Sequence, residues 1–301
     1  MNRSVWILVL FWGLTACGAP PPKPPHTEAQ ALSHHLRGVE LRRQGEPSAA
    51  QRSFGEAYRL YASIEHREGS SAALLNLAAL ARQQAAYETA EAYLGQASHY
   101  AITRHKGMLA YEHALLLLQL ERFDAAQRAA SNALELDPTL AGPVHNLMAR
   151  ASYRLHDVAG TRSHLREALK LLAPERAGRE RANAFRLLGR LEIDAGRPTE
   201  ALSALRSALL LDKQLNLPDK LALDLRLSAE AAKAASQWRT EADYLRRLFV
   251  VSVSHTKEKS AREILSRLAN LLDAHNEKKL AQELRSRSDK FIALGVVPLS
   301  W

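Results

Sequence analysis

Seven small residues, Gly38, Ala78, Ala114, Ala149, Gly189, Ala229 and Ala269, recur along the chain at spacings of 40, 36, 35, 40, 40 and 40, and the residues around each recur with them. Such self-similarity confines the chain to repeat architectures, because one unit of this length cannot bury its own apolar face and must stack on its neighbours. Twelve positions after the first small residue stands a second, at Ala50, Ala90, Ala126, Thr161, Ala201 and, in the last unit, Ala281. Four positions further come the residues that fill the core, Phe54, Leu94, Ala130, Leu165 and Leu205, and three beyond them Ala57, Ala97, Ala133, Ala168 and Ala208. Apolar residues at i, i+3, i+4 and i+7 in both halves predict two amphipathic helices per unit, joined by a polar turn. Two of these turns are explicit, Gly45-Glu46-Pro47 and Gly196-Arg197-Pro198, where glycine ends one helix and proline starts the next. Small residues are needed where the two helices approach closely, and the larger side chains then fill the space toward the next unit.

These small and large positions closely resemble the signature of the tetratricopeptide repeat, and Pro138 falls where that family carries its closing proline. The resemblance covers residues 31 to 290 and implies an all-α fold, a right-handed superhelical solenoid of about seven helix-turn-helix repeats. The commoner repeat of this family has about 34 residues, so the longer spacing is a departure. It is more similar to the kinesin-light-chain type, which Leu74-Leu75-Asn76-Leu77-Ala78 followed by Tyr87-Glu88-Thr89-Ala90-Glu91 also resembles. The sixth and seventh units depart further: Glu241 takes a small position, and Arg285 and Ser288 take core positions, as a polar cap facing water would.

The amino terminus carries a separate signal. Met1-Asn2-Arg3 is basic, Val5 to Leu14 is apolar, and Leu14-Thr15-Ala16-Cys17 ends the stretch at the only cysteine. About ten apolar residues are half of what a bilayer span needs, so residues 1–16 read as a secretory signal. The last four residues resemble the lipobox of bacterial lipoproteins, which implies that Cys17 is acylated and becomes the mature amino terminus. Acylation also removes a lone thiol from an oxidising compartment. Gly18 is not the aspartate that retains such lipoproteins at the inner membrane, so the resemblance implies a lipid anchor at the periplasmic face of the outer membrane. Residues 17–30 then form the tether; Ala19-Pro20-Pro21-Pro22-Lys23-Pro24-Pro25 favours polyproline II and would act as a spacer.

Removing residues 1–16 takes away one arginine and leaves 40 basic against 32 acidic side chains, and the segment 150–206 alone holds 12 basic and 7 acidic. In the periplasm the partners for such a charge are protein segments, cell-wall polymers or lipid headgroups, and no nucleic acid is expected. Residues four apart on the first helix of a unit share a face. On the face expected to line the concave wall stand Asn146 and Arg150 in the fourth unit, Arg186 and Arg190 in the fifth, and Arg226 in the sixth. An arginine track of this kind is suited to an acidic or extended protein segment, since the guanidinium fork binds carboxylates through two hydrogen bonds; the alternative is a solvated face paired with Glu192, Asp194 and their neighbours. Leu75, Tyr111 and Leu115 make the equivalent face of the earlier units more apolar, a place for a hydrophobic anchor.

No catalytic motif is legible, and neither a cofactor nor a metal is expected. His34 and His35 are adjacent on a helix, so their rings point about 100° apart and do not form a ligand pair. The apolar tail, residues 291–301, is expected to fold back over the last unit. Known tetratricopeptide lipoproteins include pilotins, β-barrel assembly lipoproteins and adaptors for cell-wall hydrolases, so the resemblance implies a protein-interaction scaffold in envelope machinery. The alternative is a basic lipoprotein that binds cell wall or anionic lipid without a peptide ligand.

Overall fold

A computed structural model of the chain describes residues 26–173, 178–254 and 258–295. Fifteen α-helices lie within these residues, and fourteen of them form seven antiparallel pairs. The pairs are α1 (His26–Gln44) with α2 (Pro47–Ser63), α3 (Arg67–Gln83) with α4 (Tyr87–Tyr100), α5 (Thr103–Gln119) with α6 (Phe123–Leu136), and α7 (Ala141–Arg154) with α8 (Val158–Leu171). Then follow α9 (Gly178–Asp194) with α10 (Pro198–Gln214), α11 (Pro218–Ala234) with α12 (Trp238–Ser254), and α13 (Glu258–Ala274) with α14 (Lys278–Ser286), closed by α15 (Ser288–Leu294). Each of the seven small residues lies in the first helix of a pair, and all seven are buried.

The packing explains the repeat. A Cβ added to Gly38 would stand 2.7 Å from the ring of Phe54, and one added to Gly189 would stand 2.5 Å from Leu205 Cγ. The first small position therefore meets the core filler sixteen residues later, in the second helix of the same pair. Ala50, Ala90, Ala126, Thr161, Ala201 and Ala281, the second small set, are fully buried. Glu241 is buried at the same position of the sixth pair, where its Oε1 accepts a hydrogen bond of 2.8 Å from Arg267 on α13. In the seventh pair Leu284 is buried, and the neighbouring Arg285 points outward to Asp273.

The turn within each pair is built the same way every time. Gly45, Ala85, Glu121, His156, Gly196, Ser236 and Asn276 adopt positive φ, each seven residues after the small residue of its pair. The next residue donates its N–H back over the helix end, as in Glu46 to Leu41, Ala86 to Ala81 and Arg122 to Leu117, each at 2.9 Å. This Schellman closure satisfies carbonyls that the helix end would otherwise leave open. Two of the seven positions are glycine, so the sequence displays two of the turns and conceals five. Pro47, Pro198 and Pro218 stand at the first helical position, where a missing N–H costs nothing. Asp157 caps α8 by accepting from the Gly160 N–H at 2.8 Å.

Helix length and the connection between pairs together set the spacing. Where both helices have 17 residues, as in α9 to α12, the small residues are 40 apart. The shorter spacings of 36 and 35 follow α4 and α6, each of 14 residues. Three residues are close to one helical turn. The second helix α8 also has 14 residues, yet Ala149 and Gly189 stand 40 apart because α9 starts only at Gly178.

One boundary differs from the sequence expectation. The first helix begins at His26, inside the segment assigned to the tether, because residues 26–30 follow the last proline and add a helical turn ahead of Ala31, which is buried against Ala57, Tyr61 and Ala73. At the other end, Phe291 and Ile292 of α15 are buried in the same core as Leu268 and Leu272 of α13, so this part of the tail does cover the last pair. Residues 296–301, Cys17, the signal sequence and residues 19–25 of the proline segment lie outside the described residues. Among the described residues no helix is long and apolar enough to cross a membrane.

Candidate functional site

Consecutive first helices touch one another from α1 to α11, which makes them the inner layer of the array with the second helices outside. The residue three before the small position lies between neighbouring inner helices: His35, Leu75, Tyr111, Asn146, Arg186 and Arg226 in pairs one to six. Crowding there removes most of this row from solvent. His35 and Tyr111 are half-buried, Leu75, Asn146 and Arg186 are buried, and Arg226 is exposed.

This alters the expected ligand-binding track. Leu75 belongs to the core cluster of Phe54 and Leu74 rather than to an open anchor site. Tyr111 and Leu115 pack on the core of the third and fourth pairs. Asn146 is turned toward α9, its Nδ2 donating to Glu180 Oε2 at 2.7 Å and to the Glu180 carbonyl at 3.1 Å, while its Oδ1 is buried with no partner among the described residues. Arg186 is the largest departure. Its Nε donates to Asp224 Oδ1 at 2.5 Å, its Nη1 to Asn183 Oδ1 at 2.7 Å, and its Nη2 to Asp212. All three ionic groups are buried, so this guanidinium joins α9, α10 and α11 and has no fork left for a ligand carboxylate.

Around Arg186 the inner wall carries a charge network that sequence inspection missed in part. Arg82 on α3 pairs with Glu112 on α5 at 3.0 Å, and both side chains are largely buried. Burial lowers the Arg150 pKa, opposed by the carboxylate of Glu180 and by Tyr111. Burial, then the charges of Glu180 and Glu112, raise the Tyr111 phenol pKa. Burial also lowers the Lys220 pKa, with Arg186 adding to the effect and Asp212 opposing it. Asp224 is pushed up to about 7, first by burial and then by Asp212, although Arg186 pulls the other way. Four cations, Arg82, Arg150, Arg186 and Lys220, thus stand among four acids of the same chain, Glu112, Glu180, Asp212 and Asp224. Repeat arithmetic could have located one addition, since Lys220 is 40 residues after Glu180 and holds the equivalent position.

Arg190 and Arg226 remain exposed. Glu192 and Asp194, considered as partners for the track, are engaged elsewhere. Glu192 is buried, and this raises its pKa less than Arg162 and Arg197 lower it. Asp194 Oδ2 accepts the Tyr153 hydroxyl at 2.5 Å, which ties α7 to α9. His35 lies edge-on against Phe54, with ring centroids 5.5 Å apart, in a packing role. Among the described residues no cluster of three or more histidine, cysteine or acidic side chains is arranged to hold a metal.

No protein-family model and no curated protein matches the chain. Solved structures do. A thermophilic tetratricopeptide-repeat protein of Thermus thermophilus superposes with a TM-score of 0.52 at 18% identity, over 66% of this chain and 98% of that one. The pilF protein of Pseudomonas aeruginosa gives a TM-score of 0.51 at 16% identity, over 74% and 92%. A Rap protein solved in complex with Competence and Sporulation Factor gives 0.57 at 14% identity, over 89% and 77%. Together with the seven packed pairs and their common turn, these likenesses identify the fold of the chain as a tetratricopeptide-type helical solenoid.

Proposed function

We propose that this protein is a lipoprotein of the bacterial outer membrane, anchored through Cys17 at the periplasmic face, whose solenoid is a protein-interaction scaffold for assembling or regulating envelope machinery. The observation that carries the scaffold reading is the array itself: seven stacked pairs present a long inner surface held rigid by buried ion pairs between neighbouring helices. A surface of this form suits an extended polypeptide, which can reach several units at once. Arg190 and Arg226 are exposed cations on the first helices of adjacent units, and they favour a partner segment bearing carboxylates.

The anchor reading rests on Leu14-Thr15-Ala16-Cys17 after a short apolar stretch. Stable anchoring takes more than one acyl chain, which lipidation of this type supplies without a spanning helix. Cys17→Ser in the native host, followed by membrane fractionation and labelled-palmitate incorporation, tests it. The expected result is loss of label and release of a folded protein. A variant that stays on the membrane after a high-salt wash would refute the anchor.

A further inference from the structure

The outer surface carries a groove larger than the corresponding furrow in the first half of the array. It lies between the second helices α10 and α12, over α11, and encloses about 770 Å³. The corresponding furrow between α4 and α6, over α5, encloses about 390 Å³ and has one lysine, Lys106, in its lining. In the larger groove Leu209, Leu225 and Tyr244 form a buried floor, while Leu210 and Val250 stand on opposite walls, 58% and 40% exposed. Two large apolar side chains held open to water across a concave site are a cost unless something covers them.

Four cations surround this floor, two on each wall: Arg206 and Lys213 on α10, Arg246 and Arg247 on α12. Arg206 and Lys213 make no ion pair among the described residues, and Arg246 and Arg247 share the single carboxylate of Asp243 at 2.9 and 3.8 Å. Arg247 also lies over the Tyr244 ring, 5.4 Å from its centroid. The groove is thus an apolar trough with basic edges on both sides.

We propose that this groove docks an amphipathic helix of a partner protein, its apolar stripe on Leu209, Leu210, Tyr244 and Val250 and its carboxylates against the two basic edges. A helix about 10 Å across with a 5.4 Å pitch would fill the volume in roughly two turns if fully immersed, or about three to four turns lying half-immersed. The concave section and paired edges fit a rod better than a flat lipid surface. This surface is on the outside of the array and is independent of the inner wall used in the proposed function.

The test uses the full chain and a fluorescent, hydrocarbon-stapled 14-residue helix with leucine at i, i+3, i+4 and i+7 flanked by glutamate. Two controls replace the glutamates by lysine or the leucines by serine. In fluorescence anisotropy the glutamate probe should bind and neither control should. Leu210→Glu with Val250→Glu, and separately Arg206→Glu with Lys213→Glu, should each weaken binding at least tenfold; all four positions face solvent, and circular dichroism should confirm unchanged helicity. Arg190→Glu with Arg226→Glu on the inner wall should leave probe binding unaltered, which separates this proposal from the proposed function. Failure of the glutamate probe to bind, or equal binding by the groove variants, overturns the proposal. So does preferential binding of phosphatidylglycerol vesicles with the same dependence on the four cations, which would assign the surface to lipid.

Discussion

Gly189 and Leu205 share one point in the core: the Cβ that Gly189 lacks would lie 2.5 Å from Leu205 Cγ, in the middle of the α9–α10 pair. Gly38 and Phe54 stand in the same relation in the first pair. Gly189→Leu should therefore force the helices apart and destabilise the array by about 1 to 3 kcal/mol. Gly95, exposed on α4 with nothing near its missing Cβ, is the control. Gly95→Ala should be neutral or stabilising by up to about 1 kcal/mol, as for an exposed helix interior. Urea unfolding of both variants gives the comparison, and similar shifts would remove the packing argument.

The common turn makes a prediction of opposite direction. Ala85 holds φ at 60° where Gly45 and Gly196 hold the equivalent place in their pairs. A side chain in this left-handed region is strained, and glycine relieves the strain while losing more entropy on folding. Ala85→Gly should stabilise by about 0.5 to 1 kcal/mol net, and Gly196→Ala should destabilise by a similar amount. Thermal melts that move both variants the same way would contradict the assigned turn.

Arg186 binds two buried aspartates, so its removal leaves carboxylates without a counter-charge. Arg186→Met should cost about 3 to 5 kcal/mol, much more than loss of the exposed Arg190. Asp224, pushed up to about 7, binds a proton in the folded protein that it has released in the unfolded chain between its ordinary value of 3.8 and about 7. Its contribution to stability is then full below the unfolded value and falls as pH rises through this window. Asp224→Asn should abolish that fall, visible as a flatter urea midpoint between pH 4 and 7.

His164 works in the other sense. Burial lowers its pKa, and His145, with its Nδ1 3.2 Å from that of His164, lowers it further against the opposing charge of Asp157. The folded protein resists protonating this ring, so stability is complete above the ordinary value of 6.5 and declines as pH falls below it. His164→Gln should remove this part of the acid sensitivity without touching the Asp224 slope, and double-variant titrations should show the two effects adding.

The fold was legible because each pair repeats one steric solution, in which the small residue and the filler sixteen later are close enough in sequence to be read together. The turns were legible in only two of the seven pairs. Glycine marks left-handed backbone at Gly45 and Gly196, but Ala85, Glu121 and His156 adopt it only because the surrounding helices fix the turn. Arg186 was misread as a ligand arginine because its acceptors, Asp212 and Asp224, lie 26 and 38 residues away on other helices. A periodicity argument places residues on a face and says nothing about which opposite charge the next unit brings to it. Arg190 and Arg226, placed on the same track by that periodicity, are exposed.

In the proposed function the inner wall of the solenoid holds a partner polypeptide at Arg190 and Arg226. Placing a benzoylphenylalanine photocrosslinker at each of these positions, and at the exposed Arg128 on the outer helix α6 as reference, tests it directly in intact cells. Irradiation should yield one discrete adduct from both inner positions and none from Arg128, and mass spectrometry of that adduct should identify a carboxylate-rich segment of the partner. No adduct from either inner position, or the same adducts from all three, would contradict the account.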